Sequence, residues 1–161
     1  MIRMLMAAVV ATFCLSSATA PAAAMSNPFS WVEGWYADAF GPDAKPDGTS
    51  KVLEAYLVPD LKALWVADRD EAGKRGEVGR ISADPLIDAQ DFDPAFLKTL
   101  KLEGVEGTPL IRATFQLFPE DSGSVRTVYF ELAPDGMDWK IANIHYSDGR
   151  SLRTLLLLPL E

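Results

Sequence analysis

Apolar residues recur at helical spacing in the first half of the chain and alternate in the second. Phe29, Val32, Tyr36 and Phe40 stand three or four positions apart, with Trp35 beside them, and predict a first helix. Pro28 suits its first turn, and Gly41-Pro42 stops it. A Pro/Gly/Asp loop runs from Pro42 to Gly48. Thr49 or Ser50 is placed to cap a second helix with the stripe Val52, Leu53, Tyr56 and Leu57. Pro59 breaks or kinks it, and Asp60 opens a continuation carrying Leu61, Leu64, Trp65 and Ala67. Asp68 to Arg80 is charged and contains glycines, which predicts a solvent-exposed loop or a frayed end. Ile81 to Phe92 reads as irregular.

The period then drops to two. Leu97 to Val105 is a weak strand. Ile111, Ala113, Phe115 and Leu117 alternate with Arg112, Thr114 and Gln116, and Val128, Phe130 and Leu132 alternate with Thr127, Tyr129 and Glu131. Trp139 to Tyr146 is a further strand. Turn sequences separate these runs at Pro119–Gly123, Pro134-Asp135-Gly136 and Ser147-Asp148-Gly149. Strands joined by short turns predict an antiparallel meander. Ser151 caps a last short helix, Leu152 to Leu158, ended by Pro159. Helices segregated from an antiparallel sheet define an α+β domain, with the front helices covering the apolar face of the sheet.

The first residues change the picture of where the protein works. Arg3, the apolar run Leu5 to Phe13 and the small residues Ser16 to Ala20 form the three parts of a secretory leader in order. The run is too short to span a bilayer, which takes about 20 apolar residues. Cleavage after Ala20 would leave Pro21 next to the cut; cleavage after Ala24 leaves Met25 first and is preferred. The expected organisation is a leader over 1–24 and one domain over 25–161, periplasmic or secreted. Cys14 is lost with the leader, because Phe13 before it does not suit lipoprotein processing. The remaining domain then has no disulfide and no thiol chemistry.

The chain carries 15 basic and 23 acidic residues, a net charge of −8. That balance argues against nucleic acid and anionic lipid as partners, since both select basic surfaces.

The helices-then-meander order resembles the cone-shaped nuclear transport factor 2-like fold, in which helices pack in the concave face of a curved antiparallel sheet. Trp139-Lys140-Ile141-Ala142-Asn143-Ile144 before a turn is similar to the last strand of many such proteins. A narrower resemblance is to exported bacterial proteins classed as domain of unknown function 3828. It is carried by Asp84-Pro85…Ala89-Gln90-Asp91, by Trp139-Lys140-Ile141 and by Asp148-Gly149-Arg150-Ser151-Leu152-Arg153. It spans about Phe29 to Leu158. This resemblance implies a fold and no chemistry, because the wider group hosts isomerases, dehydratases, cyclases and binding modules.

Candidate chemistry is sparse. His145, the sole histidine, is a candidate acid or base, or a sheet-end residue bonded to its surroundings. Asp84, Asp88, Gln90 and Asp91 are the densest polar cluster. A buried Asp there would have a raised pKa and serve as a base; equally, these side chains serve as caps of turns around Pro85. Asp88, Asp91 and His145 are the catalytic candidates. Trp31, Trp35, Tyr36, Trp65 and Trp139 are core filler or the lining of an apolar cavity, and Trp35, Tyr36, Trp65, Gln90 and Asn143 are the ligand-binding candidates. Arg112, Gln116 and Tyr129 mark the polar sheet face as a solvated or partner-binding surface, including a homodimer. With one histidine and no cysteine outside the leader, no metal site is expected, and no cofactor either. Ala72-Gly73-Lys74-Arg75-Gly76 lacks the residues of a phosphate loop, and no serine nucleophile elbow is present. The reading that follows is a non-enzymatic module binding a small ligand or an envelope protein. The alternatives are a small acid–base enzyme with an Asp base and an oligomerising envelope protein.

Overall fold

The computed structural model describes residues 25–44 and 48–159. The leader, its two cleavage sites and Cys14 lie outside the described residues.

Helix α1 spans Pro28–Phe40. The Asn27 side chain accepts from the Phe29 amide at 3.0 Å, and Pro28 fills the first turn, where a missing N–H costs nothing. The Gly41 amide makes the last helical bond, to the Ala37 carbonyl at 2.8 Å, and the backbone then turns extended at Gly41, ahead of Pro42. Any side chain there would sit 2.3 Å from that same oxygen. The buried residues of α1 are Val32, Trp35, Tyr36, Ala39 and Phe40; the predicted stripe is buried except for Phe29, which is half-buried at the start of the helix, and Ala39 joins it.

Helix α2 spans Gly48–Tyr56 and α3 spans Pro59–Arg75. Thr49 and Ser50 therefore lie inside the first turn of α2 rather than capping it. The charged stretch from Asp68 does not become a loop at Asp68. It stays helical to Arg75, because Asp, Glu, Lys, Arg and Ala there outweigh a single interior glycine, Gly73. Gly76, in the left-handed conformation at φ 70°, ends it. Asp68 is 5% exposed, not on an open surface.

A 3₁₀ segment, Pro94–Thr99, replaces the first half of the expected weak strand. Asp93 accepts from the Ala95 amide at 2.8 Å and Pro94 fixes the turn, so helical geometry wins locally. Only Lys101–Gly104 is strand, β1. Strands β2 (Leu110–Gln116), β3 (Val125–Asp135) and β4 (Asp138–Tyr146) follow, and α4 (Leu152–Leu156) closes the described chain. It ends two residues before the predicted end, leaving Leu157 and Leu158 exposed.

The sheet order is β1-β2-β3-β4, all antiparallel. The protein is α+β, with helices against an open four-stranded antiparallel sheet, an arrangement consistent with the cone-type fold. Ile111, Ala113, Phe115, Val128, Phe130, Ile141 and Ile144 are buried on the helix side. Between Glu131 and Leu132 the register shifts, with Glu131 opposite Asn143 and Leu132 opposite Ile141. Ala142 is thus the extra residue of a bulge, and its carbonyl is taken by the Arg153 guanidinium at 3.1 Å. The free edge of β4 is partly occupied by the α2–α3 joint, where the Val58 amide bonds the Ile141 carbonyl at 3.0 Å.

The core is aromatic. The Tyr36 ring packs against Phe40, Phe96, Phe115 and Phe130, with centroids 5.8 to 6.3 Å apart. Three of those four pairs are edge-to-face, the arrangement that ring quadrupoles favour.

Candidate functional site

Three places carry most of the residues that the sequence singles out, and the fold keeps them apart. The first is a recess beside the first two turns of α1, of about 320 Å³, lined by Ser26, Asn27, Ser30, Trp31, Gly34, Trp35 and Tyr56. Helical spacing puts Asn27, Ser30, Trp31, Gly34 and Trp35 along one side of α1, and α2 supplies Tyr56. The Tyr56 ring stands 6.0 Å from Trp31 at 74° and 5.3 Å from Trp35 at 39°. The rings are tied by their polar edges. Trp31 Nε1 donates to Ser26 Oγ at 2.6 Å, and the Tyr56 hydroxyl donates to Asp38 at 2.8 Å. Ser26 is anchored in turn to the β3–β4 turn, donating to the Met137 carbonyl at 2.9 Å and accepting from Trp139 Nε1 at 2.8 Å. Burial, followed by the Asp38 hydrogen bond, pushes the Tyr56 phenol up to about 12. It therefore stays neutral and donating at neutral pH. Lys140 Nζ lies 6.0 Å from the Tyr56 ring and donates to the Ala55 carbonyl at 2.7 Å.

Trp35 is 1% exposed, and its Nε1 has no hydrogen-bond partner among the described residues. Gly34 is the other unusual member. A side chain at Gly34 would meet nothing within 4 Å. Neither close packing nor a positive φ requires glycine there, and glycine inside a helix costs about 0.5–1 kcal/mol relative to alanine.

The second place is the turn around Pro85. Asp84 Oδ1 accepts from the Leu86 amide at 2.9 Å, and its backbone bridges Ala89. The turn is fastened from below by two buried tyrosines. Tyr36 donates to the Leu86 carbonyl at 2.7 Å, and Tyr146 reaches toward the Pro85 carbonyl at 3.4 Å. Burial raises the Asp84 carboxyl above its usual range, against the Thr49 hydroxyl and Leu86 amide, which lower it. Asp88 takes the left-handed conformation at φ 49°, and its carboxylate faces Arg150 at 3.2 Å. Asp91 is exposed. Gln90 is exposed too, donating to the Ser82 carbonyl at 3.0 Å. Asp84 thus acts as a turn cap and Asp88 as half of an ion pair.

The third place is the outer face of the sheet. Strand register sets Arg112 opposite Tyr129, Thr114 opposite Thr127, and Tyr129 opposite His145. These side chains are half-exposed where their strand neighbours are buried. Arg112 pairs with Glu103, and His145 Nε2 lies 3.0 Å from Glu131. Gln116 shares this face at its far end, opposite Val125.

The catalytic candidates therefore do not converge. His145 and the Asp88–Arg150 pair belong to different neighbourhoods, and Asp91 stands apart from both. The ligand-binding candidates separate as well. Trp35 lines the recess, Tyr36 is core, and Gln90 lies on the surface. Trp65 belongs to another recess, with Asp68, Arg69 and Ile81. Asn143, 8% exposed, uses its Oδ1 to accept from the Arg153 amide at 3.1 Å, which fixes the start of α4 beside the bulge. Arg112, Gln116 and Tyr129 do share one surface. Tyr56 and Gly34 were not selected by sequence reasoning. Tyr56 reads there as one more stripe residue; Gly34, between two tryptophans inside a helical pattern, is the signal that would have found the recess.

Among the described residues, no group of three His, Cys, Asp or Glu side chains is placed to hold a metal ion, and no helix is long and apolar enough to cross a membrane.

No protein-family model matches the chain, and no curated protein matches it in sequence. Among solved structures, the chain is similar to a protein of unknown function from Bacteroides thetaiotaomicron, with a TM-score of 0.49 and 17% identity, covering 71% of this chain and 85% of that one. It is also similar to a chain in the type VI native effector–immunity complex Tae3–Tai3 from Ralstonia pickettii, with a TM-score of 0.49 and 16% identity, covering 75% of this chain and 95% of that one. Neither likeness carries an argument about what this chain does.

Proposed function

We propose that this chain is an exported, non-enzymatic binding module and that the recess beside α1 is where it holds its ligand. The observation that carries the proposal is the recess itself. Three aromatic rings pack together along one wall, two of them, Trp31 and Tyr56, held by hydrogen bonds at their polar edges, and a helical glycine leaves the space beside them open. Preformed, mostly apolar concavities with a few polar groups at the rim are the usual form of a small-ligand site. The acid–base alternative has less support, because among the described residues Asp88 pairs with Arg150 and His145 with Glu131, Asp91 is exposed, and Asp84 already caps a turn. Export to the periplasm or medium rests on Arg3, the run Leu5 to Phe13 and the small residues after it. The proposed kinship with the domain of unknown function 3828 group rests on the Asp84-Pro85 and Trp139-Lys140-Ile141 segments.

A second reading, docking of an envelope protein or a second copy, is favoured by one observation. Arg112, Gln116 and Tyr129 lie together on a half-exposed sheet face.

Native mass spectrometry of the protein purified from the cell envelope tests these readings together. The expected species begins at Met25 and carries non-peptide mass. A bare monomer at every concentration would remove the ligand reading, a dimer or heteromer would favour the sheet face, and a species retaining Met1 would remove export.

A further inference from the structure

We infer that the recess beside α1 takes a small, flat, uncharged aromatic molecule bearing a hydrogen-bond acceptor, a ring nitrogen or a carbonyl. This rests on the binding-module reading and names its ligand class.

Shape comes first. Trp31 and Tyr56 stand nearly perpendicular at 6.0 Å, and Trp35 is tilted 39° to Tyr56 at 5.3 Å. At those separations the rings touch one another and make a single wall, whose outward faces and edges offer one guest the two geometries in which aromatic groups attract each other. A volume of about 320 Å³ lies at the small end of ligand sites, which suits one fused ring pair.

Gly34 supplies the second argument. Alanine would be the better helix former and would meet no atom within 4 Å. Folding therefore gives no reason for glycine here. What glycine does is keep a methyl group out of the recess whose lining it joins.

Charge sets the third condition. The Tyr56 ring has Asp38 at its hydroxyl and Lys140 at 6.0 Å from its centroid. Opposite charges flank the site, so neither an anion nor a cation gains a clear advantage, and a neutral guest meets no repulsion.

The acceptor follows from Trp35. Its indole N–H is buried in the wall without a partner among the described residues. That atom has almost no accessible surface, so a guest's acceptor meets it only when the Trp35 ring edge turns toward the recess; an unpaired buried donor is costly, and relief of that cost is what favours the turn. Asn27 and Ser30 at the rim offer polar atoms for the outward edge of the guest.

The test uses quinoline as the probe, neutral at pH 7.5 and carrying one ring-nitrogen acceptor. Naphthalene is the isostere without the acceptor, and N-methylquinolinium is the cation. Binding to the leaderless protein is followed by the tryptophan indole N–H signals in ¹⁵N–¹H spectra. Quinoline is expected to bind with a Kd on the order of 0.1–1 mM, the range for a fragment of about ten heavy atoms, and to move one buried indole signal downfield. Naphthalene is expected to bind at least threefold more weakly without that downfield shift, and the cation more weakly still. Gly34→Ala is expected to weaken quinoline at least tenfold while the melting temperature holds or rises, which separates loss of the site from loss of the fold. Equal affinity for naphthalene would overturn the acceptor assignment, and tightest binding of the cation would overturn the neutral class. Unchanged affinity in Gly34→Ala would overturn the location. If quinoline fails but the envelope-purified protein carries non-peptide mass, the ligand class is wrong and the module reading stands. If an aromatic side chain of a co-purified protein instead protects Trp31 and Trp35, the guest is a partner's residue and the small-molecule inference falls.

Discussion

Replacing Tyr36 by phenylalanine removes one hydroxyl from the centre of the protein and keeps the ring. The side chain is 1% exposed, and its contacts with Phe40, Phe96, Phe115 and Phe130 survive the change. What disappears is the 2.7 Å hydrogen bond to the Leu86 carbonyl. Leu86 is fully buried, so that carbonyl has no water to turn to. Leaving a buried acceptor unsatisfied costs about 1–3 kcal/mol. For a domain of this size the melting temperature should fall by about 3–12 °C. Tyr146→Phe is the internal control, because its contact with the Pro85 carbonyl is long, at 3.4 Å, and should be worth less than about 1 kcal/mol.

The same hydroxyl makes a pH prediction. Burial, followed by the nearby Asp84 carboxylate, raises the Tyr36 phenol well above its ordinary value. A group whose folded pKa is raised gives its full stabilisation below the unfolded pKa and loses it as pH climbs. The wild type should therefore lose about 1.4 kcal/mol per pH unit from this residue above about pH 10, and Tyr36→Phe should not. Guanidinium unfolding followed by far-ultraviolet circular dichroism at pH 7, 9 and 11 measures both effects. The gap between wild type and variant should be open at pH 7 and 9 and narrower at pH 11. A loss below 0.5 kcal/mol with unchanged denaturant slope, or a gap that does not move with pH, would refute the role given to this hydrogen bond.

Asp84 is raised by burial, so its charge works against the fold as pH climbs through its folded pKa. Asp84→Asn keeps the acceptor for the Leu86 amide, and urea midpoints should show it more stable than wild type at pH 7, with the difference closing near pH 3; an equal deficit at both would reject the burial argument. Gly79→Ala would place a methyl carbon 2.4 Å from Asp68 Oδ2. It should displace the carboxylate that accepts from the Arg80 amide at 3.1 Å and from its guanidinium at 2.7 Å, costing about 1–3 kcal/mol. An unmoved thermal midpoint would mean that Asp68 swings aside freely. Ser151 and Thr154 form a reciprocal capping box at the start of α4. Ser151→Ala should cost about 1 kcal/mol in equilibrium unfolding, and Ser151→Thr should recover most of it; equal losses from both would point to packing rather than the cap.

Much of the fold was legible because it depends on local period. The stripe of α1, the alternation in β2 and β3 and the turn before β4 follow from residues a few positions apart. The capping serine of α4 could be read for the same reason. Legibility failed where distant chain decided the outcome. Asp68 to Arg80 looks like a solvated run because its charges are dense. In the structure Asp68 folds inward to meet Arg80, which also reaches the Leu158 carbonyl far along the chain. Asn143 looks like a free polar group at the end of a strand. The bulge at Ala142 and the start of α4 turn it into a buried cap.

The candidate site divides along the same line. By itself, the sequence determined that the chain is acidic. It also determined that helices precede an antiparallel meander and that Arg112, Gln116 and Tyr129 share one face. Each of these is a property of composition or of spacing along one element. The tertiary structure decided that of Trp35 and Tyr36, adjacent in sequence and both buried in the core, it is Trp35 that also borders the recess. It also decided that Tyr56 from another helix completes the recess and that Asp88, Asp91 and His145 never meet. The reason is geometric: a helical period fixes which way a side chain points, but only the packing of one element on another fixes what it points at.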